Sequence, residues 1–415
     1  MAILDLLYAL LLLLFFPFWL KYALNPDYRR LLKSRLRPRL ESRPGPAVWI
    51  HAVSVGEVFS LRSLIAALGQ RQLAVVLSVT TPAGFDFARR QFPHIPVLYA
   101  PLDFSFVVRR FIDRIQPRLV IFNELEIWPN WITLLHRRRI PMLLINGRIS
   151  DAAFKRYRFF GFILRPFFRR LDGYLVQNEL YRQRFLQLRI PDARIKVCGN
   201  IKADEAESSL PGLPAPGDIM AHLRLRAAAR KIVVLASSHE PDEKIFIPAI
   251  PGQGQSYFFI IVPRHLQRVA AISARLRLHG VAHSLHSRPQ DGDAAAQAMI
   301  YDRMGYLMPI LSIADIVFMG GTFDPRTGGH NLYEPAVLGK AMVGGPFFNN
   351  FPDIGRELAE SGAYQRVNDS KEWAEYLAAY PGPGLERIKA AARKAVGDRT
   401  GSLACSLEQI QRYLA

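Results

Sequence analysis

Apolar residues fall into different patterns along the chain. From Ala2 to Leu20 they are almost continuous, AILDLLYALLLLLFFPFWL, with Asp5 as the only charge. From Ala47 to about Gly199, short apolar runs alternate with longer stretches of helical character, and the alternation resumes after residue 230. Short apolar runs bounded by turn residues predict buried strands. Strands alternating with helices predict parallel, doubly wound sheets.

The first region predicts strands at 47–52, 73–79, 96–99, 119–122, 142–145, 174–176 and 195–197. The second predicts strands at 231–236, 257–262, 298–301, 316–319 and 341–343. Between the regions lies SSLPGLPAPG, residues 208–217, with the Pro, Gly and Ser content of a linker. The expected organisation is a membrane anchor at 1–24, a Rossmann-like domain at 25–207, the linker at 208–217, a second Rossmann-like domain at 218–380, and a helical tail at 381–415.

The N-terminal stretch has the length of a membrane span. A helix lying in one leaflet, or a buried helix with a solvated basic tail, are the other readings. Trp19 and Tyr22 suit a membrane–water boundary. Lys21, Arg29, Arg30, Lys33, Arg35, Arg37, Arg39 and Arg43 follow, against Asp27 and Glu41 alone. Positive charge on that flank predicts that it and the rest of the chain lie in the cytoplasm.

Charge and cysteine content narrow the classes. The net charge is +19 and the pI about 10.2, which favours phosphate-bearing partners. No nucleic-acid-binding module is recognisable, so anionic lipid or a nucleotide is expected rather than nucleic acid. Cys198 and Cys405 lie far apart and give no disulfide framework, so a reducing compartment is expected. There is no Walker motif, dinucleotide fingerprint or Gly-x-Ser-x-Gly elbow. His239, His265 and His330 lie on three loops of the second region, but without metal-ligand spacing.

Polar residues gather in the loops after the expected strands, where open α/β sheets bind ligands. In the first region these loops are SVGE (54–57), NELEIWPN (123–130), NGRIS (146–150), QNE (177–179) and GNIKAD (199–204). Glu57 is placed to be a general base, or equally a helix-start residue favoured by the dipole. Glu124 and Glu126 suit acid–base work or a hydroxyl-rich ligand, with a structural role as the alternative. In the second region the loops are SSHEPDE (237–243), PRH (263–265) and the stretch 320–334 with Gly320, Gly321, Gly328 and Gly329. Glycines admit a phosphate to the backbone, and a helix predicted from Asn331 to Gly339 favours negative charge at its start. Asn331 and Glu334 also have capping-box spacing. Arg264 suits a phosphate or carboxylate, or is a surface cation.

Taken together, HAVSVGE (51–57), E-x-E-x-W-P-N (124–130), N-x-R-x-S (146–150), G-N-I-K-x-D (199–204), V-P-R-H (262–265), D-x-M-G (302–305) and GG…GGHN-x-x-E-P resemble the Kdo transferases. These enzymes place 3-deoxy-D-manno-octulosonic acid on the lipid A precursor of lipopolysaccharide. The resemblance covers nearly the whole chain. It implies an α/β fold of GT-B type, two facing Rossmann-like domains with the final helix returning to the first. It implies CMP-Kdo as donor, a lipid A precursor (lipid IVA) as acceptor, inversion at the anomeric carbon, and no metal or cofactor. By position, Glu57 matches the family's base and Glu126 an important acid. Arg264, His265, Gly320, Gly321, Gly329, His330, Asn331 and Glu334 fall on donor-binding motifs, and Ser54, Gly56, Glu124 and Arg148 on the acceptor side. The sequence departs from the family at Ser238, Pro241 and Asp242, where Thr, Gly and Glu are usual, and at Leu332-Tyr333, where Pro-Leu is usual. The alternative is another membrane-associated GT-B enzyme of sugar nucleotides, a different glycosyltransferase or an epimerase.

Overall fold

The computed structural model describes residues 2–14, 25–40, 45–225, 230–288, 296–380 and 384–414. By their internal contacts the residues form two units, Met1–Glu205 with Arg399–Ala415, and Ala206–Asp398. The boundary falls inside the helix Ile201–Ser208, just before the expected linker, and the chain returns to the first unit at its end.

The first unit holds a parallel sheet of β1 (Ala47–Ala52), β2 (Val75–Val79), β3 (Val97–Tyr99), β4 (Pro117–Asn123), β5 (Met142–Gly147), β6 (Gly173–Val176) and β7 (Ile195–Val197). Its order is β3-β2-β1-β4-β5-β6-β7. The second unit repeats the plan with β8 (Lys231–Ser238), β9 (Tyr257–Pro263), β10 (His283–Leu285), β11 (Ala298–Ile300), β12 (Ile316–Met319), β13 (Ala341–Gly344) and β14 (Tyr364–Arg366). Its order is β10-β11-β9-β8-β12-β13-β14, again all parallel. In each sheet the chain builds outward on one side, then crosses back: at β1/β4 in the first and β8/β12 in the second. Such a reversal leaves a crevice beyond the carboxyl ends of those two strands.

Helices cover both faces of the first sheet, which is why every position of β1 is buried. Ala47 and Trp49 point to one core with Phe111, Phe122 and Trp131. Val48, Ile50 and Ala52 point to the other, with Leu64, Leu68, Leu407 and Ile410. The last two belong to the final helix, Ser402–Leu414. Burying each of them contributes about 1.5–3 kcal/mol. Tyr413 donates to the Asp172 carbonyl at 2.9 Å, and Asp204 accepts the N–H groups of Gly401 and Leu403 at 2.7 Å each.

Cys198 and Cys405, expected to be unpaired, form a disulfide with their Cα atoms 5.6 Å apart. The expectation failed because the residues lie 207 positions apart and only the returning final helix brings them together.

The N-terminal region is described in part. The described helix is Ala2–Leu14, and no described helix is long and apolar enough to cross a membrane. Residues 15–24, with Trp19, Lys21 and Tyr22, lie outside the described residues, as do Glu41 and Arg43. Asp5, in sequence a blemish in an apolar run, accepts from the Ser105 N–H at 2.9 Å, the Ser105 hydroxyl, and the Asn130 amide at 2.9 Å. Tyr8 donates to Asp103 at 3.2 Å. Leu6, Leu7, Leu10, Leu13 and Leu14 are exposed. Arg35, grouped in sequence with the basic flank, donates instead to the Ala100 carbonyl at 3.1 Å.

Candidate active site

The reversal at β1/β4 gathers the three glutamates. Glu57 follows β1, in the helix Val55–Ser60 whose N-cap is Ser54. Glu124 and Glu126 follow β4. Asn123 ties the two strand ends together, donating to the Glu57 carbonyl at 3.3 Å and the Ser60 hydroxyl at 3.4 Å.

The three carboxyls have different surroundings. Glu57 accepts from the Val53 N–H at 2.9 Å and the Ser54 hydroxyl at 3.3 Å, so the helix-start role is present in the structure. Burial, and next the charge of Glu124, nevertheless push Glu57 up to about 8. Glu124 is partly buried too, which works to raise it. The Lys202 and Arg148 cations outweigh that and hold it below the usual carboxylate range. Arg148 donates to it at 2.8 Å and Lys202 at 3.3 Å. Glu124 itself sits at φ +63°, a conformation a non-glycine residue adopts at a cost of order 1–3 kcal/mol, as functional sites often do.

Glu126 is fixed from behind. His51, fully buried near the carboxyl end of β1, meets Glu126 Oε2 through Nε2 at 2.9 Å and Ser78 Oγ through Nδ1 at 3.0 Å. The Trp49 indole donates to the same Ser78 oxygen at 2.9 Å, and the Trp128 indole to Glu126 Oε2 at 3.0 Å. Burial works to raise Glu126, but the hydrogen bond and charge of His51 hold it low. The crevice therefore contains two carboxylates kept ionised and one with a raised proton affinity. Environments that push neighbouring carboxyls apart in this way mark a division into base and electrostatic partner.

Gly56 is exposed, and a Cβ there would meet no protein atom, so packing does not require glycine beside Glu57. Lys202, His51 and Ser78 are members of this site that sequence reasoning missed. The GNIKAD loop was singled out, but the Lys202–Glu124 contact depends on where β7 lies in the sheet.

The reversal at β8/β12 gathers the second group. Gly320 is forced: a Cβ would lie 2.3 Å from the Ser237 carbonyl oxygen. Gly321, at φ +72°, leaves room for His330 and Thr327. Asp242, fully buried, accepts from the His239 N–H at 2.8 Å and the Gly321 N–H at 2.7 Å. Burial pushes it up to about 6 against these bonds. The departure from the family pattern at Pro241-Asp242 is thus accommodated: proline sits in the first turn of the helix Glu240–Phe246, where its missing N–H is harmless, and the shorter carboxylate bridges the two loops.

Arg264 and His265 are exposed beyond β9, and the Arg264 guanidinium forms no hydrogen bond or ion pair among the described residues. His239 and His330 meet through their Nε2 atoms at 2.8 Å. Gly328 and Gly329 have φ +65° and +79°. The helix expected from Asn331 begins later, as Tyr333–Val337, so Pro335 falls in its first turn. Five residues carry little macrodipole, and any charge attraction there rests on side chains and loop N–H groups. Asn331 donates to Glu334 at 3.1 Å and accepts from the Tyr333 N–H at 3.1 Å, but Leu332 is the N-cap and carries no side-chain cap bond, so the foreseen frame with Asn331 as N-cap and Glu334 three residues on is not the one the helix takes.

Two parallel sheets of this order, each with its polar groups at the strand-order reversal, define an α/β architecture of GT-B type. It is shared with UDP-GlcNAc 2-epimerase from Neisseria meningitidis bound to UDP-GlcNAc, at TM-score 0.63 over 88% of this chain and 100% of that one; at 13% identity this is a likeness of fold. Residues 29–205 match the family model described as 3-Deoxy-D-manno-octulosonic-acid transferase (kdotransferase). The chain is 32% identical over 323 residues to the 3-deoxy-D-manno-octulosonic acid transferase of Chlamydophila psittaci, covering 77% of this chain and 74% of that protein. With the enzyme of the same name from Haemophilus influenzae it shares 28% identity over 408 residues, 94% and 93% of the two chains. The chain belongs to the 3-deoxy-D-manno-octulosonic acid transferase family and is a glycosyltransferase.

Proposed function

We propose that the chain transfers Kdo from CMP-Kdo to the lipid A precursor, lipid IVA, with inversion, at the cytoplasmic face of the inner membrane. The observation that carries this reading is the cluster of Glu57, Glu124 and Glu126 at the β1/β4 reversal, with Glu124 bonded to Arg148 and Lys202 and Glu126 to His51 and Trp128. A sugar hydroxyl gives its proton to Glu57 as its oxygen bonds to the anomeric carbon of Kdo. The bond from that carbon to the phosphate oxygen breaks, and CMP leaves with the electron pair. A base of raised pKa takes that proton better than an ordinary carboxylate. Glu124 and Glu126 stabilise the positive charge that develops on the sugar. Arg264 meets the phosphate and Gly320–Gly321 lets it approach the backbone.

Two surfaces of the first unit support membrane association. The helix Ala2–Leu14 is fastened by Asp5 and Tyr8 and exposes leucines. The helices Asp151–Phe159 and Gly161–Phe168 expose Phe159, Phe160, Phe162 and Ile163 among Lys155, Arg156, Arg158 and Arg169. Apolar side chains ringed by cations suit an anionic membrane surface.

Incubating the detergent-solubilised protein with CMP-Kdo and lipid IVA and weighing the lipid tests the reading. A mass gain of one or more Kdo residues is expected. An unchanged lipid, with turnover of another sugar nucleotide, would establish a different enzyme of the same fold.

A further inference from the structure

Two imidazoles share a hydrogen bond in the second unit. The Nε2 atoms of His239 and His330 are 2.8 Å apart, and the rings lie within 10° of parallel. Two bare lone pairs repel at that distance, so one Nε2 carries a proton and donates it to the other. The neutral pair then holds one proton between the rings and one on the accepting ring's Nδ1. The donating ring's Nδ1 is the position at which a third proton adds.

The neighbouring groups come from every element packed around the pair. Arg264, His265 and Arg268 lie beyond β9. Glu243 and Asp242 come from the helix Glu240–Phe246, and Asp324 from the loop beyond β12. The carboxylates are committed elsewhere. Glu243 accepts from Arg268 at 2.6 and 3.0 Å and from Ser238 at 3.1 Å. Asp242 holds the His239 and Gly321 N–H groups, and Asp324 the Arg326 N–H at 2.9 Å and the Thr327 hydroxyl at 3.1 Å. Arg264 and exposed His265 therefore leave a positive field at the pair. Burial, and after it these neighbours, hold both imidazoles below the ordinary histidine value, His330 at about 3.

We propose that His239 and His330 form a proton-gated anion receptor: neutral when the site is empty, the pair takes up one proton from solvent as the phosphate of the donor nucleotide arrives. This deepens the reading of the β8/β12 rim as the donor site and rests on it. The proton adds to the free Nδ1 lone pair, and no other bond changes. The pair becomes a single cation spread over two rings. A standing cation at the pair would be repelled by Arg264 in the empty site. A charge that appears only with the anion avoids that repulsion, and is released when the nucleotide leaves.

The test is calorimetric titration of CMP into the full-length, detergent-solubilised protein, at one pH near 7.5, in buffers of different ionisation enthalpy. The expected result is heat that depends on the buffer with the sign of proton uptake, at a fraction of one proton per CMP. Affinity should weaken as pH rises, by up to about tenfold per unit. Uptake should vanish in His239→Asn and in His330→Asn and persist in His265→Asn. CMP binding with no buffer dependence in the parent overturns the proposal and leaves the donor-site reading intact, as does uptake that survives in both pair variants. A parent that binds no CMP overturns both.

Discussion

Glu124 and Glu57 occupy one crevice with opposite proton affinities. Burial and the Glu124 charge push Glu57 up to about 8, while Lys202 and Arg148 outweigh burial at Glu124 and keep it ionised. The relationship has a testable sign. A base must be deprotonated to act, so the rising limb of kcat/KM against pH reports Glu57. Glu124→Gln removes the facing charge and leaves Lys202 and Arg148 unbalanced, and both changes lower the Glu57 pKa. The limb should move to lower pH, and turnover at high pH should fall because the base is weaker. A limb that stays in place would show that Glu124 does not tune Glu57.

Glu57→Gln tests the base itself. Gln is nearly isosteric: its oxygen can still accept from the Val53 N–H, and its amide can donate to the Ser54 hydroxyl oxygen, so fold and CMP binding should be little changed. It cannot take a proton. Single-turnover transfer with saturating CMP-Kdo should fall by about two to four orders of magnitude. A helix-start role alone is worth about 0.3–1 kcal/mol and would leave turnover within a few-fold of the parent. A folded, CMP-binding variant transferring at near-parental rate would move the base to Glu126.

Arg264 and Glu334 separate binding from a local structural role. Arg264 has no protein hydrogen-bond partner among the described residues, whereas Glu334 accepts from Asn331. Arg264→Ala should weaken CMP binding by about 1.5–3 kcal/mol, roughly tenfold or more. Glu334→Ala should also weaken it, and lower thermal stability as well because the contact with Asn331 is lost. Titration of CMP against each variant decides. Unchanged affinity in both would mean that this rim does not hold the nucleotide.

What could be read from sequence, and what could not, follows from how each feature arises. β1 has the expected limits because both its faces are buried and its run of residues is bounded by Pro46 and Ser54. β10 and β14 were missed: each is a three-residue edge strand containing polar residues, and a neighbouring strand defines it. Glu57, Glu124 and Glu126 were legible because they stand where strands end. Their division of roles was not, because Lys202 and Arg148 reach Glu124 from beyond β7 and β5. His51 lies inside a strand, where a lone histidine looks like core; the contact with Glu126 exists because β4 pairs beside β1. The disulfide and the docking of Asp5 are likewise products of chain return, not of local pattern.

Removing residues 1–24 distinguishes a docked surface helix from a core element. The helix Ala2–Leu14 meets the first unit through Asp5 on Ser105 and Asn130, and through Tyr8 on Asp103. Without it, Asn130 still donates to the Asp103 carbonyl at 2.6 Å, and the Asn130 and Trp131 N–H groups to its carboxylate at 3.0 and 2.8 Å. The β4 end of the site should therefore persist, with a loss of about 1–3 kcal/mol from the missing hydrogen bonds. The truncated protein should fold, melt at lower temperature, leave the membrane fraction more readily, and keep substantial activity on detergent-dispersed acceptor. Asp5→Ala should show the same loss of thermal stability but stay with the membrane, because the exposed leucines remain. A truncated protein that does not fold would show the helix to be core; one that folds and sediments with membranes as before would place attachment on the Phe159–Ile163 surface alone.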